Sequence, residues 1–360
     1  MEADVLHALP TAFDLLALVM SLGALGCRLW ILPAADAVSG ATGVETIFVR
    51  VWRLLGISIA ALTIGSFAEF AERAVEMSGR PLPEVLPLLP MILFHTHYGW
   101  VWLVRPIALT ALWIGWWAGR GRLQSRRIPG LMFGAGALIA LTRSASGHAA
   151  DWGDPTFSEL SDWLHLMASS LWGGGLFALC IVVLPAVPKL PRRRLIADLV
   201  RRFSVLAGVA LAGVLLTGLY NAWLQVGAIS AMWETPYGRL LLVKLCLVIP
   251  LIALGAMNHY STVPFLQRWS GRPVTGRSPG QLIMRCLAAG RHRRQAVRLL
   301  HRFTRRVWAE AIFVVGILIC TAFLLHGTPA RHALHHEHSL VNPEVSSRAV
   351  GKMMPQASTP

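Results

Sequence analysis

Histidine, aspartate and methionine occur close together in one stretch of the sequence, with a spacing that suits metal binding. His148 precedes a helical pattern that contains Asp162, His165 and Met167. Asp162 and His165 are three positions apart, so on a helix they share a face, where a carboxylate can orient an imidazole. Met167 adds a thioether, although it points largely away from His165. We interpret His148 and His165 as candidate metal ligands. An interfacial histidine that only supports helix packing is the alternative.

A second pair of histidines, His95 and His97, stands just before an apolar segment. Side chains two residues apart on a regular helix point in nearly opposite directions. Both imidazoles can therefore bind one ion only if this segment is extended or looped, and Pro90 upstream permits a loop. Ordinary interfacial polar residues are the alternative interpretation.

The C-terminal segment, residues 326–360, is polar and rich in histidine, with no apolar periodicity. We expect it to be mostly disordered. Such tracts bind copper, zinc or nickel with little selectivity, so we expect the tail to collect metal rather than to form a well-defined site. The tail histidines are His326, His332, His335, His336 and His338.

The composition indicates which kind of protein must position these side chains. Apolar residues make up 55% of the 360 residues and charged residues 14%, whereas soluble chains average about 45–50% and about 25%. This excludes a disordered chain and argues against a soluble enzyme. The five cysteines have no paired spacing, so neither a disulfide framework nor a zinc ribbon fits.

Eight apolar runs have the length needed to cross a bilayer, which takes about 20 residues as a helix. They predict an all-α fold, a polytopic membrane bundle that occupies residues 1–325. The fourth run is the shortest. The runs are residues 11–32, 54–71, 98–118, 128–141, 160–184, 203–225, 240–257 and 307–325.

The distribution of lysine and arginine predicts the orientation of the bundle. Most of the 33 lysines and arginines lie in residues 28–53, 120–127, 189–202 and 268–306, which are alternate loops. By the positive-inside rule these loops are cytoplasmic and both termini are periplasmic. We expect the long basic loop, residues 259–306, to contact anionic lipids rather than nucleic acid. Most of the 13 histidines then lie on the opposite, periplasmic side.

Four charged residues fall inside the predicted spans, where charges are costly and usually functional. They are Asp14, Arg105, Lys244 and Glu310. Lys244 and Glu310 either pair across helices, or Glu310 turns toward the basic loop. Asp14 lies near the outer end of its helix, where it can join the histidine site.

From about residue 162 to residue 328 the chain resembles the copper resistance protein D (CopD) family of bacterial inner-membrane proteins. The order of several short motifs along the spans carries the resemblance, together with Asn258 after the seventh span and Glu310 in the eighth. The motifs are Asp162-Trp-Leu-His165, Leu171-Trp-Gly-Gly-Gly175, Arg202-Phe-Ser204, Leu216-Thr-Gly-Leu-Tyr-Asn221 and the run from Thr235-Pro-Tyr-Gly to Lys244.

The resemblance implies a multi-pass protein of copper homeostasis in the bacterial inner membrane. Its cargo would be copper, as Cu(I) or Cu(II), moved from periplasm to cytoplasm beside a periplasmic copper-binding partner of the CopC type. By the same resemblance, His148 and His165 match the outer histidines of the family. The matching polar positions are Asp162, Lys244, Asn258 and Glu310.

The sequence contains neither a Gly-x-x-x-x-Gly-Lys-Ser/Thr loop nor an Asp-Lys-Thr-Gly motif, so we expect copper movement without ATP. We expect no enzymatic activity and assign no catalytic residue. Two alternatives stay open. One is a scaffold that hands copper to another protein without transporting it, and the other is a membrane redox protein with b-type haem held between histidines of facing helices.

Overall fold

The computed structural model describes residues 2–32, 44–123, 125–146, 156–186, 193–270, 293–328 and 330, and within these ranges it contains helices and no strand. Eight helices are long and apolar enough to cross a membrane, which confirms the predicted all-α bundle. They are α1 (His7–Ile31), α2 (Glu45–Ser78), α3 (His97–Gly119), α4 (Arg127–Ala145), α5 (Phe157–Ala186), α6 (Arg194–Val226), α7 (Pro236–Arg268) and α8 (His301–His326).

The helices alternate in direction, so the bundle has two ends with different composition. We call the end that carries His7, His97 and His326 the histidine face. Three short helices, Leu82–Val85, Leu89–His95 and Ala231–Glu234, lie in the connections at this end. The opposite end, which carries Arg127, Arg194 and Arg268, is the arginine face.

Three helices extend well beyond the apolar runs that predict them. The second predicted run ends at residue 71, but α2 continues to Ser78, where Gly79 adopts a positive φ of 64° and ends the helix. Residues 259–268 of the predicted basic loop belong to α7, and the backbone leading into α8 is helical from Arg293. Hydropathy marks only the apolar part of a helix, and these helices continue into polar sequence.

Helix α1 lies at the centre of the bundle, where it packs against α2, α4, α5 and α8. Its apolar side chains are fully enclosed, including Leu18, Val19, Leu22 and Leu25. By contrast, α7 and much of α6 are apolar but exposed on the outside of the bundle. An apolar surface of this kind suits contact with lipid chains.

Helices α1 and α5 cross at a contact between backbones. A Cβ atom added to Gly174 would lie 2.0 Å from the carbonyl oxygen of Val19, and one added to Gly23 would lie 2.0 Å from the carbonyl carbon of Gly174. Only glycine permits such an approach, as at close helix crossings in membranes generally. The crossing explains why a run of glycines follows Trp172 in the sequence. Two π-helical turns, Ser170–Gly174 and Leu179–Val183, adjust the register of α5 in this region.

Candidate functional site

Three side chains of types that can bind a metal ion converge at the histidine face from two distant parts of the chain. Glu72 and Glu76 lie one turn apart on α2, and His326 is the last residue of α8. One carboxylate oxygen of each glutamate and one imidazole nitrogen all lie within 4.8 Å of one another. Glu72 and His326 are half-buried, and Glu76 is exposed. We call these three residues the outer triad.

Neighbouring polar groups hold the outer triad in place. Nδ1 of His7 on α1 lies 2.9 Å from Oε1 of Glu72, to which it donates. Oγ1 of Thr11 lies 3.0 Å from Nε2 of His326. Nη1 of Arg73 donates to Oε2 of Glu76 at 2.5 Å. Each member of the triad therefore already has a hydrogen-bonding partner.

Four charged side chains form a buried ion quartet below the outer triad. Asp14 is completely buried and accepts from Nη2 of Arg105 at 2.8 Å, Nη1 of Arg143 at 3.0 Å and the hydroxyl of Ser66 at 2.9 Å. Glu69 accepts from Nη1 of Arg105 at 3.1 Å and Nη1 of Arg143 at 2.7 Å. Two carboxylates and two guanidiniums balance each other, which offsets the cost of burying charge.

The ion quartet and the outer triad are adjacent because both use the same face of α2. Glu69, Glu72 and Glu76 follow one another at helical spacings of three and four residues. Sequence reasoning identified Asp14 and Arg105 but missed Glu69 and Arg143. The spacing of the three glutamates was the available signal, and it was missed because two of them lie beyond the apolar run that ended at residue 71.

His165 lies in a second polar region, between α5 and α6. Its Nδ1 is 3.0 Å from the hydroxyl of Thr217, and that hydroxyl donates to the carbonyl oxygen of Gly213 at 2.6 Å. A hydroxyl has one proton to donate, so Nδ1 of His165 is the donor to Thr217. Nε2 then carries the lone pair, which is the form of a neutral histidine that can bind a metal.

The carboxylate expected beside His165 has a hydrogen bond to another helix. Asp162 accepts from the hydroxyl of Ser144 on α4 at 2.7 Å. Lys244 of α7 lies within electrostatic range of Asp162, His165 and Cys320. Polar side chains from α4, α5, α6, α7 and α8 therefore meet in this region of the bundle.

The remaining candidate ligands differ in their surroundings. Thr96 is extended, with φ −117° and ψ 151°, and separates the short helix that ends at His95 from α3, which begins at His97. This is the helix break that joint binding by His95 and His97 requires, and both side chains are exposed. Met167 is instead buried in the apolar core. Metal binding by these residues stays a prediction.

Five predicted ligands lie outside the described residues: His148, His332, His335, His336 and His338. His326 differs from the other tail histidines. The sequence places it at the start of a disordered tail, whereas the structure places it in the last turn of α8, with a bond to Thr11.

A third polar group lies near the arginine face, between α7 and α8. Nδ2 of Asn258 donates to Oε1 of Glu310 at 2.5 Å, and both side chains are buried. They line a cavity of about 250 Å³ whose wall also includes Ser204 and His259. The cavity is otherwise apolar, with rings from Trp172, Phe203, Tyr260 and Phe303.

The partner of Glu310 is therefore Asn258, not Lys244. Lys244 lies 14 residues before Asn258 on the same helix, which corresponds to about 21 Å along the axis. The pairing of Lys244 with Glu310 across helices is wrong for this structure. The two charges instead lie at different depths of the bundle.

The fold and these sites define a class of protein: a polytopic membrane bundle with ionisable groups at several depths. Two family models match the chain. One is described as copper resistance protein D and matches residues 197–324, and the other is described as the copper resistance protein D-like N-terminal domain and matches residues 3–154. Together they span most of the sequence.

Three named relatives are similar to the chain. Copper transport protein CutJ of Bacillus subtilis (strain 168) is 30% identical over 61% of this chain and 41% of its own length. Copper resistance protein D of Pseudomonas syringae pv. tomato is 28% identical over 70% of this chain and 80% of its own. Inner membrane protein YebZ of Escherichia coli (strain K12) is 26% identical over 51% of this chain and 61% of its own. No solved structure matches.

The chain belongs to the copper resistance protein D family, as the motifs between residues 162 and 328 indicated. It is a multi-pass inner-membrane protein. The match of the N-terminal model extends the resemblance to the first half of the chain, which includes α1 to α4 and therefore the whole ion quartet. The match with CutJ covers less than half of that relative.

Proposed function

We propose that this protein moves copper ions across the inner membrane, from the periplasm to the cytoplasm, without ATP. The observation that carries the proposal is the position of Asn258 and Glu310. Two buried oxygen-bearing side chains line a cavity near the arginine face of a bundle whose other end displays histidines. A cation that enters between the helices at the histidine face would find acceptor groups at both ends of its path.

The orientation follows from the positive-inside rule, which makes the arginine face cytoplasmic. A copper ion moving inward is then driven by the membrane potential, which contributes about 2.3 kcal/mol per elementary charge per 100 mV. Lys244 and Asp162 lie between the two ends, where their opposite charges compensate each other within electrostatic range. The proposal needs no enzymatic step.

Two partners follow from this proposal. A periplasmic copper-binding protein of the CopC type would deliver copper at the histidine face, where His95 and His97 are exposed. Anionic lipids would bind the basic segments at the arginine face, since clusters of lysine and arginine next to membrane helices attract acidic headgroups. His165 and His148 remain the proposed copper ligands inside the periplasmic boundary, with Nε2 of His165 as its ligating atom.

We expect Glu310→Gln to lower copper uptake at least about tenfold in proteoliposomes with an imposed inside-negative potential, measured with a lumenal copper indicator. Glutamine keeps the shape and the hydrogen bond to Asn258 but removes the negative charge. A loss of about 1.4 kcal/mol in stabilisation of the ion corresponds to a tenfold change. Glu84→Gln is the matched control, because Glu84 is exposed in a short helix at the other end.

Copper binding at the histidine face should be unchanged by Glu310→Gln. Equal uptake by the variant and the wild type would remove Glu310 from the path. If the wild type takes up no copper but its deletion lowers the copper content of a periplasmic enzyme, the protein is a scaffold for copper delivery and not a transporter.

A further inference from the structure

We infer that the outer triad, with the carboxylate of Glu72 held by His7, is a Cu²⁺ site at the histidine face. The inference deepens the proposed function, since it names the oxidation state that the protein would accept from the periplasm. The site itself stands on geometry. Glu72, Glu76 and His326 place three ligand atoms within 4.8 Å of one another. A metal ion bound between them would draw these atoms closer together.

The donor atoms favour Cu²⁺ over Cu⁺. Glu72 and Glu76 offer carboxylate oxygens, and His326 offers an imidazole nitrogen. Oxygen and nitrogen ligands suit divalent ions, whereas Cu⁺ prefers sulfur. Among divalent first-row ions, a given site of this kind binds Cu²⁺ more tightly than Ni²⁺ or Zn²⁺. We therefore expect Cu²⁺ to compete successfully with Zn²⁺ here.

Two members of the triad are already held in place by neighbouring groups. Nε2 of His326 is engaged with Thr11, which leaves Nδ1 as the nitrogen available to a metal. Nδ1 of His7 donates to Oε1 of Glu72, which orients that carboxylate. Ligating histidines are usually held in this way through their other ring nitrogen, and the partner fixes both the tautomer and the ring plane.

The charges around the triad also favour a cation. The guanidiniums of Arg105 and Arg143 in the layer below are both ion-paired with Asp14 and Glu69, so their charges are compensated. Arg73 on α2 forms an ion pair with Glu76 at 2.5 Å, and both side chains are about 40% exposed. A metal must displace this guanidinium, so Arg73 competes with the metal for Glu76.

Titration of the purified full-length chain with CuCl₂, in competition with a chelator of known affinity, tests the inference. The background carries alanine in place of His332, His335, His336 and His338, so that the tail does not contribute imidazoles. We expect the outer triad to account for one Cu²⁺ per chain, with an electron paramagnetic resonance spectrum of tetragonal nitrogen and oxygen coordination. Glu76→Gln and His326→Gln should each weaken binding by about tenfold or more, whereas exposed Glu84→Gln should not change it.

Arg73→Gln separates a metal site from a structural role, because it should strengthen Cu²⁺ binding several-fold. A loss of folding cannot produce a gain in affinity. The inference is overturned if none of the triad variants changes the Cu²⁺ affinity, or if the chain binds Cu⁺ more tightly than Cu²⁺ with a dependence on the neighbouring Met77. The triad variants report Cu²⁺ affinity and Glu310→Gln reports uptake, so a failure of transport and a failure of this site are distinguishable.

Discussion

Replacement of Arg105 by glutamine is expected to lower the free energy of unfolding by about 3–5 kcal/mol, the range measured when one partner of a buried ion pair is removed. Arg105 is 4% exposed and contacts both Asp14, which is 0% exposed, and Glu69. Without it, two buried carboxylates share the single guanidinium of Arg143. A net negative charge then remains among side chains that are largely shielded from solvent.

Thermal unfolding of the detergent-purified variants measures this effect. Arg80→Gln is the control, because Arg80 is exposed just after α2 and its loss should leave the melting temperature nearly unchanged. The double variant Asp14→Asn/Arg105→Gln restores the charge balance, so it should be more stable than Arg105→Gln alone. A double variant that loses the sum of the two single losses would show that the quartet is not a coupled unit.

The second large effect is expected from Gly174→Val, which should prevent the bundle from assembling. The first side-chain atom would lie 2.0 Å from the carbonyl oxygen of Val19 and 2.8 Å from Cα of Gly23. Both are backbone atoms of the central helix, so no side chain can rotate away. The two helices must separate, and contacts along α1 and α5 are then lost together, which corresponds to a cost of more than about 4 kcal/mol.

Size-exclusion chromatography in detergent and the yield of monodisperse protein report this result. Gly134→Val on α4 is the matched control, because a Cβ atom at Gly134 meets nothing within 4 Å. Gly175→Ala should cost far less than Gly174→Val, since its Cβ would meet a side chain, the edge of the Phe203 ring at 3.1 Å, and no backbone atom. Normal yield and elution of Gly174→Val would contradict the crossing.

Much of the candidate site was not predicted from the sequence, because hydropathy detects only the apolar part of a helix. Glu72 and Glu76 fall beyond the second apolar run and were not considered as site residues, and His326 falls just after the eighth run and was assigned to the tail. They lie instead on the ends of helices that continue past the apolar runs. A helix end is set by local signals such as the positive φ of Gly79, which hydropathy does not register.

The sequence alone was sufficient to predict the eight membrane helices, the family and the unequal distribution of arginine and histidine between the two ends. These properties are local or compositional: a span needs only about 20 consecutive apolar residues, whatever its neighbours are. The asymmetry of charge is likewise visible in the loops one by one.

The tertiary structure alone decided which polar side chains act together. Asp14 meets Arg143 across 129 positions of the chain, and Thr11 meets His326 across 315. Which helices become neighbours depends on side-chain packing and close approaches such as that of Gly23 and Gly174, which no span reveals by itself. For the same reason Glu310 pairs with Asn258 rather than with Lys244, because depth along neighbouring helices, and not opposite charge, brings side chains into contact.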